Sequence, residues 1–158
     1  MMLNDVRPGS VIYIPRPFIY DHYGIYAGHN KVIHYVKEDG SVCDGFIAET
    51  SLKEFLDGQS EAQCFVKYFP ETRKALELIL KQKIRNSNLL ARTLNEFDKS
   101  KYHFYSDSET LQRAKKSIHS DEWKYSVVTN NCEHFSVWCK TNVKYSAQVE
   151  NFFNFLLV

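Results

Sequence analysis

The stretch DHYGIYAGHNKVIHYV, residues 21–36, constrains this chain more than any other. Two runs of aromatic and β-branched residues flank Gly28, His29 and Asn30, residue types that suit a tight turn. The pattern predicts an antiparallel hairpin with strands over 21–27 and 31–36. If Gly-His-Asn is a three-residue loop, Ala27 opposes Lys31. Counting back then sets His34 opposite Gly24 and His22 opposite Val36. Side chains alternate along each strand, so His22 and His34 share a face as diagonal neighbours. A slip of one residue would put them on opposite faces. Two imidazoles so placed suit a base and a partner that fixes its tautomer.

The segments around the hairpin predict an α+β fold, an antiparallel sheet packed with helices. SVIYIP (10–15) reads as a strand closed by proline, and GFIAET (45–50) and QCFVKYF (63–69) as further strands. Ser51 with Glu54, and Ser106 with Glu109, form the Ser-x-x-Glu signature of a capped helix start. Gly58 suits the end of the first helix. In the second, Leu111, Ala114 and Ile118 line a buried face. Between them, residues 71–97 carry Leu, Ile and Ala at helical spacing among Lys and Arg, followed by a loop to residue 106. KYSVVT (124–129) reads as a last strand. There is no repeat or linker, so residues 1–158 read as one domain with a helical insertion at about 71–105.

VVTNNCEHFSVWC (127–139) holds the second reactive group. Asn130 or Asn131 caps a helix that begins at Cys132. The unsatisfied N–H groups and positive dipole end of a first turn favour a thiolate over a thiol. An adjacent imidazolium strengthens the effect, so a depressed thiol pKa is expected. The same N–H groups could stabilise an oxyanion. Taken one at a time, each residue also has a bland reading. Cys132 could be a small buried residue, His34 a core histidine between Ile33 and Tyr35, and His22 a half-exposed side chain. Cys139 reads as packing with Phe135 and Trp138, and His134 as a support for the helix. His29, His103 and His119 carry no functional assignment.

Composition narrows the classes. Twenty Lys and Arg against nineteen Asp and Glu leave a formal charge of +1, so nothing argues for nucleic acid. MMLNDVRPGS lacks the basic start and apolar run of a signal peptide, and no stretch reaches the ~20 apolar residues that span a bilayer. The expected location is the cytoplasm, with peripheral membrane contact as a variant. Cys43, Cys64, Cys132 and Cys139 have no metal-ligand spacing and read as free thiols. No metal or organic cofactor is expected.

DHYGIYAGHNKVIHY together with NNCEHFSVWC closely resembles the lecithin:retinol acyltransferase domain and its phospholipase/acyltransferase relatives. A histidine box, a second histidine on the next strand and a later Asn-Cys-Glu-His-Phe match in order and spacing. The likeness covers roughly residues 4–70 and 107–140. It implies a circularly permuted papain-like fold with the histidines ahead of the cysteine. It also implies Cys132 as nucleophile, His22 as base and His34 as the orienting member. Tyr20 and Tyr125 match recurrent family tyrosines. With Asn131 they are candidates to support the site, Tyr20 by helping to bind the oxyanion. Ser10 stands where an acidic residue is common, and Lys-Thr-Asn follows Cys139 where Arg-Tyr-Gly is common.

The implied activity is a thiol-dependent acyltransferase or phospholipase A, moving an acyl chain from a phospholipid or other acyl ester through a Cys132 thioester. The first rival is a thiol amidase or peptidase on the same triad. The second is a non-catalytic interaction module of the viral histidine-box/Asn-Cys type. Two further segments bear on a lipid substrate. ETRKALELILKQKIRNSNLLARTLNEF suits a membrane-surface helix, although a core-packing helix with a solvated basic face explains it better. VENFFNFLLV at the end is too short to span a bilayer and reads first as part of the core.

Overall fold

The computed structural model describes residues 5–16, 20–37, 45–78, 101–126 and 131–146. Its strands are β1 (Val11–Ile14), β2 (His22–Gly28), β3 (Lys31–Lys37), β4 (Gly45–Ser51) and β5 (Phe65–Val66). They form one sheet in the order β4-β3-β2-β1-β5, antiparallel at every junction. The helices are α1 (Leu52–Leu56), α2 (Asp107–Lys116) and α3 (Cys132–Thr141), and residues 73–78 are also helical. The α+β class is as expected. Outside the described residues lie Cys43, the remainder of the 71–97 helical segment, residues 127–129 of the expected last strand, and the C-terminal VENFFNFLLV.

Strand alternation sorts the apolar side chains into two layers. Val11, Tyr23, Ile25, Ile33, Tyr35 and Ile47 face α2 and α3, where they meet Ala114, Trp123, Cys132, Phe135 and Cys139. Ile12, Ile14 and Val32 face α1 and pack on Leu52, Phe55, Leu56 and Cys64. Leu111 and Ile118 are half-buried against the first layer, as the helical spacing predicts. Both Ser-Glu capping boxes form, at Ser51–Glu54 and Ser106–Glu109. After α1 the chain turns through left-handed Asp57 and Gly58. The QCFVKYF strand is shorter than its composition suggests. Ser60 caps a 3-10 turn over Glu61–Gln63, which leaves only Phe65 and Val66 paired to β1.

The hairpin differs from the expected loop in one respect. Its turn has two residues, His29 and Asn30, both at positive φ (49° and 56°), the geometry of a type I′ turn. Gly28 therefore pairs with Lys31, and a register shift between Tyr26 and Gly28 leaves Ala27 as an extra residue in β2. Beyond this bulge the pairs are Tyr26 with Val32, Ile25 with Ile33 and Gly24 with His34, the predicted register.

Helix α3 is buried along nearly its whole length. Arg113 of α2 holds its C-terminal end, donating to the carbonyls of Trp138 (3.0 Å) and Cys139 (3.2 Å). The guanidinium also stacks on the rings of Tyr105 and Trp138, 4.2 and 3.7 Å from their centroids. Lys140, buried in the same helix, pairs with Asp107 at 2.8 Å. These contacts set the helix, and hence its first residue, against the sheet.

Candidate active site

Cys132 is the first residue of α3, and Asn131 is its cap. The Asn131 side chain accepts from the His134 N–H (3.0 Å), and His134 Nδ1 accepts from the Asn131 N–H (3.2 Å). Asn131 Nδ2 also donates to Ser146 Oγ, which in turn donates to the buried Glu133 carboxylate at 2.6 Å. The cap thus fixes the direction of the first turn and the position of its cysteine.

The thiol lies at the end of the β2–β3 ladder. Tyr26 N–H points to Ser10 of the segment leading into β1, so by alternation Tyr23 N–H points to the β3 side. The ladder with β3 stops at Gly24–His34, and Tyr23 N–H instead meets Cys132 Sγ at 3.4 Å. The thiol donates in turn to the Asp21 carbonyl at 3.4 Å. Sulfur is therefore held by backbone groups on either side of His22. Its hydrogen bonds go to these atoms and not to the His22 ring.

The imidazoles occupy the α1 face. His22 Nε2 and His34 Nδ1 are 2.9 Å apart, and His34 Nε2 is 2.7 Å from Thr50 Oγ1. Thr50 donates to the Ser51 carbonyl at 3.2 Å. Phe55 of α1 covers both rings, with centroids 4.9 Å from His22 and 5.2 Å from His34. With its Nε2 engaged, His22 has Nδ1 left as its proton-accepting nitrogen.

The electrostatics differ from the expectation of a thiolate. Burial pushes the Cys132 thiol up to about 11, against the lowering effect of hydrogen bonds from the backbone of Tyr23, Glu133 and Cys132 itself. Desolvation outweighs the helix N-terminus here because Cys132 is only 7% exposed. Burial likewise lowers His34 to about 4. It holds His22 well below the ordinary histidine range, with further lowering from His34, Arg16 and Lys37. At neutral pH the resting site is a thiol beside two neutral imidazoles.

Of the support candidates, Tyr20 is half-buried and makes no hydrogen bond among the described residues. Tyr125 stands edge-on to Tyr35, centroids 5.2 Å apart, and its N–H bonds the Gly45 carbonyl. Two residues of the site carry no motif, Thr50 and Phe55; a third, Tyr35, ends the histidine motif, and its buried hydroxyl has no hydrogen-bond partner among the described residues. Thr50 had one sequence signal. It stands two residues from Ala48, the β4 partner of His34, and so shares the histidine face. No grouping of three or more His, Cys, Asp or Glu side chains among the described residues could hold a metal ion.

The chain is 29% identical over 159 aligned residues to human lecithin retinol acyltransferase, covering 94% of this chain and 60% of that protein. It is 25% identical over 153 residues to Protein LEAD-SENSITIVE 1 of Arabidopsis thaliana, covering 87% of this chain and 58% of that protein. The chain thus spans about three-fifths of the length of either relative. Residues 4–145 match the family described as Lecithin retinol acyltransferase. By that match, which takes in both histidines and the cysteine-bearing helix, the chain belongs to the lecithin retinol acyltransferase family.

Proposed function

We propose that the protein is a thiol-dependent acyltransferase or phospholipase A acting on lipid acyl esters through a Cys132 thioester. Membership of the family supports acyltransferase or phospholipase-type chemistry at that level. The observation that carries the finer reading is the chain of contacts His22–His34–Thr50 beside a cysteine at a helix N-terminus.

In this reading His22 Nδ1 takes the thiol proton as sulfur attacks the ester carbonyl. The carbonyl π electrons move to oxygen, and N–H groups around Cys132 stabilise the oxyanion. Collapse of the intermediate breaks the ester C–O bond, and the His22 proton goes to the departing alkoxide. The thioester remains. A water, amine or alcohol then attacks it, giving its proton to His22, and the thiol is restored as that proton returns. His34 holds His22 in place throughout. The substrate would be met at a membrane surface. Among the described residues, no helix is long and apolar enough to cross a membrane.

Intact-mass spectrometry after incubation with mixed phospholipid vesicles tests the proposal. An adduct of acyl mass on the wild type, absent from Cys132→Ala, is expected; an unmodified wild type across all donors would overturn it. A second reading, a non-catalytic interaction module, has one observation in its favour. Sulfur bonds the backbone of Asp21 and Tyr23 rather than an imidazole, and the thiol is protonated. Apo sites often hold catalytic contacts loosely, which keeps the enzyme reading first.

A further inference from the structure

We propose that Thr50 is a positioning residue that fixes the tautomer of both imidazoles and so leaves His22 Nδ1 unprotonated and able to act as the base. The part concerning catalysis rests on the acyl-transfer reading above; the part concerning tautomers does not.

The argument follows the direction of each hydrogen bond. A threonine hydroxyl carries one hydrogen, and a carbonyl oxygen can only accept. Thr50 Oγ1 has two neighbours, the Ser51 carbonyl at 3.2 Å and His34 Nε2 at 2.7 Å. One arrangement uses both contacts. The hydroxyl donates to Ser51, so its oxygen must accept from His34 Nε2–H. His34 is neutral, so a proton on Nε2 leaves Nδ1 bare. Nδ1 then accepts from His22 Nε2–H across 2.9 Å. His22 is neutral as well, and with its proton on Nε2 its own Nδ1 is left bare. The reverse arrangement, with Thr50 donating to His34, would place a proton on His22 Nδ1 and block it as a base.

The backbone supports this direction. Thr50 is the penultimate residue of β4, directly opposite Val32, and it is followed by the cap of α1. The Ser51 carbonyl is held by that capped turn, through Ser51 and Glu54. The same helix supplies Phe55, which packs on both rings and limits their rotation. The charged groups that act on the pair are Glu54 at the start of α1, Arg16 after β1 and Lys37 at the end of β3. None of them hydrogen-bonds an imidazole, so among the described residues Thr50 alone ends the chain.

Long-range 1H–15N NMR of the imidazoles in the substrate-free protein tests the inference directly. His22 and His34 are both expected with Nε2 protonated and Nδ1 bare. Thr50→Val removes the hydroxyl at nearly constant volume, and its spectrum should show a mixture of tautomers, while Thr50→Ser should restore the single form. Turnover of phosphatidylcholine vesicles should follow: kcat falls by roughly 10–100-fold in Thr50→Val with KM little changed, and recovers in Thr50→Ser. A wild-type His34 with its proton on Nδ1 would overturn the proposal whether or not Thr50→Val folds. So would wild-type tautomers and kcat retained in Thr50→Val. A wild type without turnover, but with tautomers that depend on Thr50, would sink the acyl-transfer reading and leave the tautomer assignment standing.

Discussion

Gly24 stands opposite His34 in the β2–β3 ladder, and its lack of a side chain is what lets the imidazoles and Phe55 close over that part of the sheet. A Cβ at this position would lie 2.6 Å from Val32 Cγ1, 3.0 Å from Phe55 Cε2 and 3.2 Å from His34 Cβ. Val32 and Phe55 are both fully buried, so neither has open space to move into. Gly24→Ala should therefore cost about 1–3 kcal/mol, the range for overpacking a core. It should also displace the histidine pair and slow thioester formation. Thermal unfolding and single-turnover mass spectrometry measure the two effects, and an alanine variant unchanged in both would show that the crowding is relieved elsewhere.

The loss of stability in acid should begin above the ordinary carboxylate range. His34 is lowered to about 4 by burial, as is His134, and His22 lies well below the usual value. A histidine with a depressed folded pKa takes its proton first in the unfolded chain. Its stabilising effect is complete above about 6.5 and is lost as the pH falls through the folded value. The window is thus pH 6.5 down to about 4, with at most about 3 kcal/mol from His34. Protonation of His134 would also remove the acceptor for the Asn131 N–H and loosen the cap of α3. Urea titrations across this range should show the midpoint falling steadily; a flat profile would contradict the burial of these rings.

Alkylation reports the state of the thiol. Cys132, with its pKa pushed up to about 11, should react slowly with iodoacetamide at pH 7, and its rate should rise with pH towards that value. Cys64 is pushed up to about 11 as well, and Cys139 further still, both by burial. Cys64 and Cys139 are fully buried and Cys132 slightly exposed, so Cys132 should be labelled first of the three. Peptide mapping at several pH values checks this. A fast rate that is level between pH 6 and 8 would instead reveal a thiolate–imidazolium pair.

The three reacting residues should not contribute independently. Cys132→Ala should abolish the acyl adduct, and His22→Ala should suppress it nearly as strongly by removing the base. His34→Gln keeps a side chain able to hydrogen-bond His22 and should retain partial activity, whereas His34→Ala should lose more. The His22, His34 double variant should be little worse than His22→Ala alone, since the residues act as one unit. Rates of thioester formation for the single and double variants decide the matter. Full activity in His34→Ala would reduce the machinery to Cys132 and His22.

Much of this arrangement was legible in the chain because it rests on local rules. Ser51 with Glu54 and Ser106 with Glu109 sit at the spacing a capped first turn requires, and both boxes form. Asn131 before Cys132 announces a helix start in the same way. The register of His34 with Gly24 was legible because a three-residue loop counts the same as the two-residue turn plus the Ala27 bulge. What was not legible depends on neighbours distant in sequence. Thr50 bonds His34 only because β4 pairs with β3, and Phe55 covers the rings only because α1 folds back over that face. The thiol pKa was misread for a related reason. Helix position argues for a thiolate, but it is the packing of α3 against the sheet that removes the water, and the second effect is the larger.

Ala27, the extra residue of β2, carries a consequence out of proportion to its size. The hairpin turn by itself would give a ladder in which His22 and His34 belong to sets of opposite parity, one looking towards α1 and the other towards α3. The bulge restores even parity by adding one to the count. A chain that paired Ala27 with Val32 instead of bulging it would own a more regular hairpin with the same turn and the same residues. Its two imidazoles would nonetheless sit back to back across the sheet, with a peptide plane between them. In this fold the reactive pair is defined by arithmetic as much as by chemistry, and a one-residue slip of the ladder that leaves the sequence untouched would be enough to dissolve it.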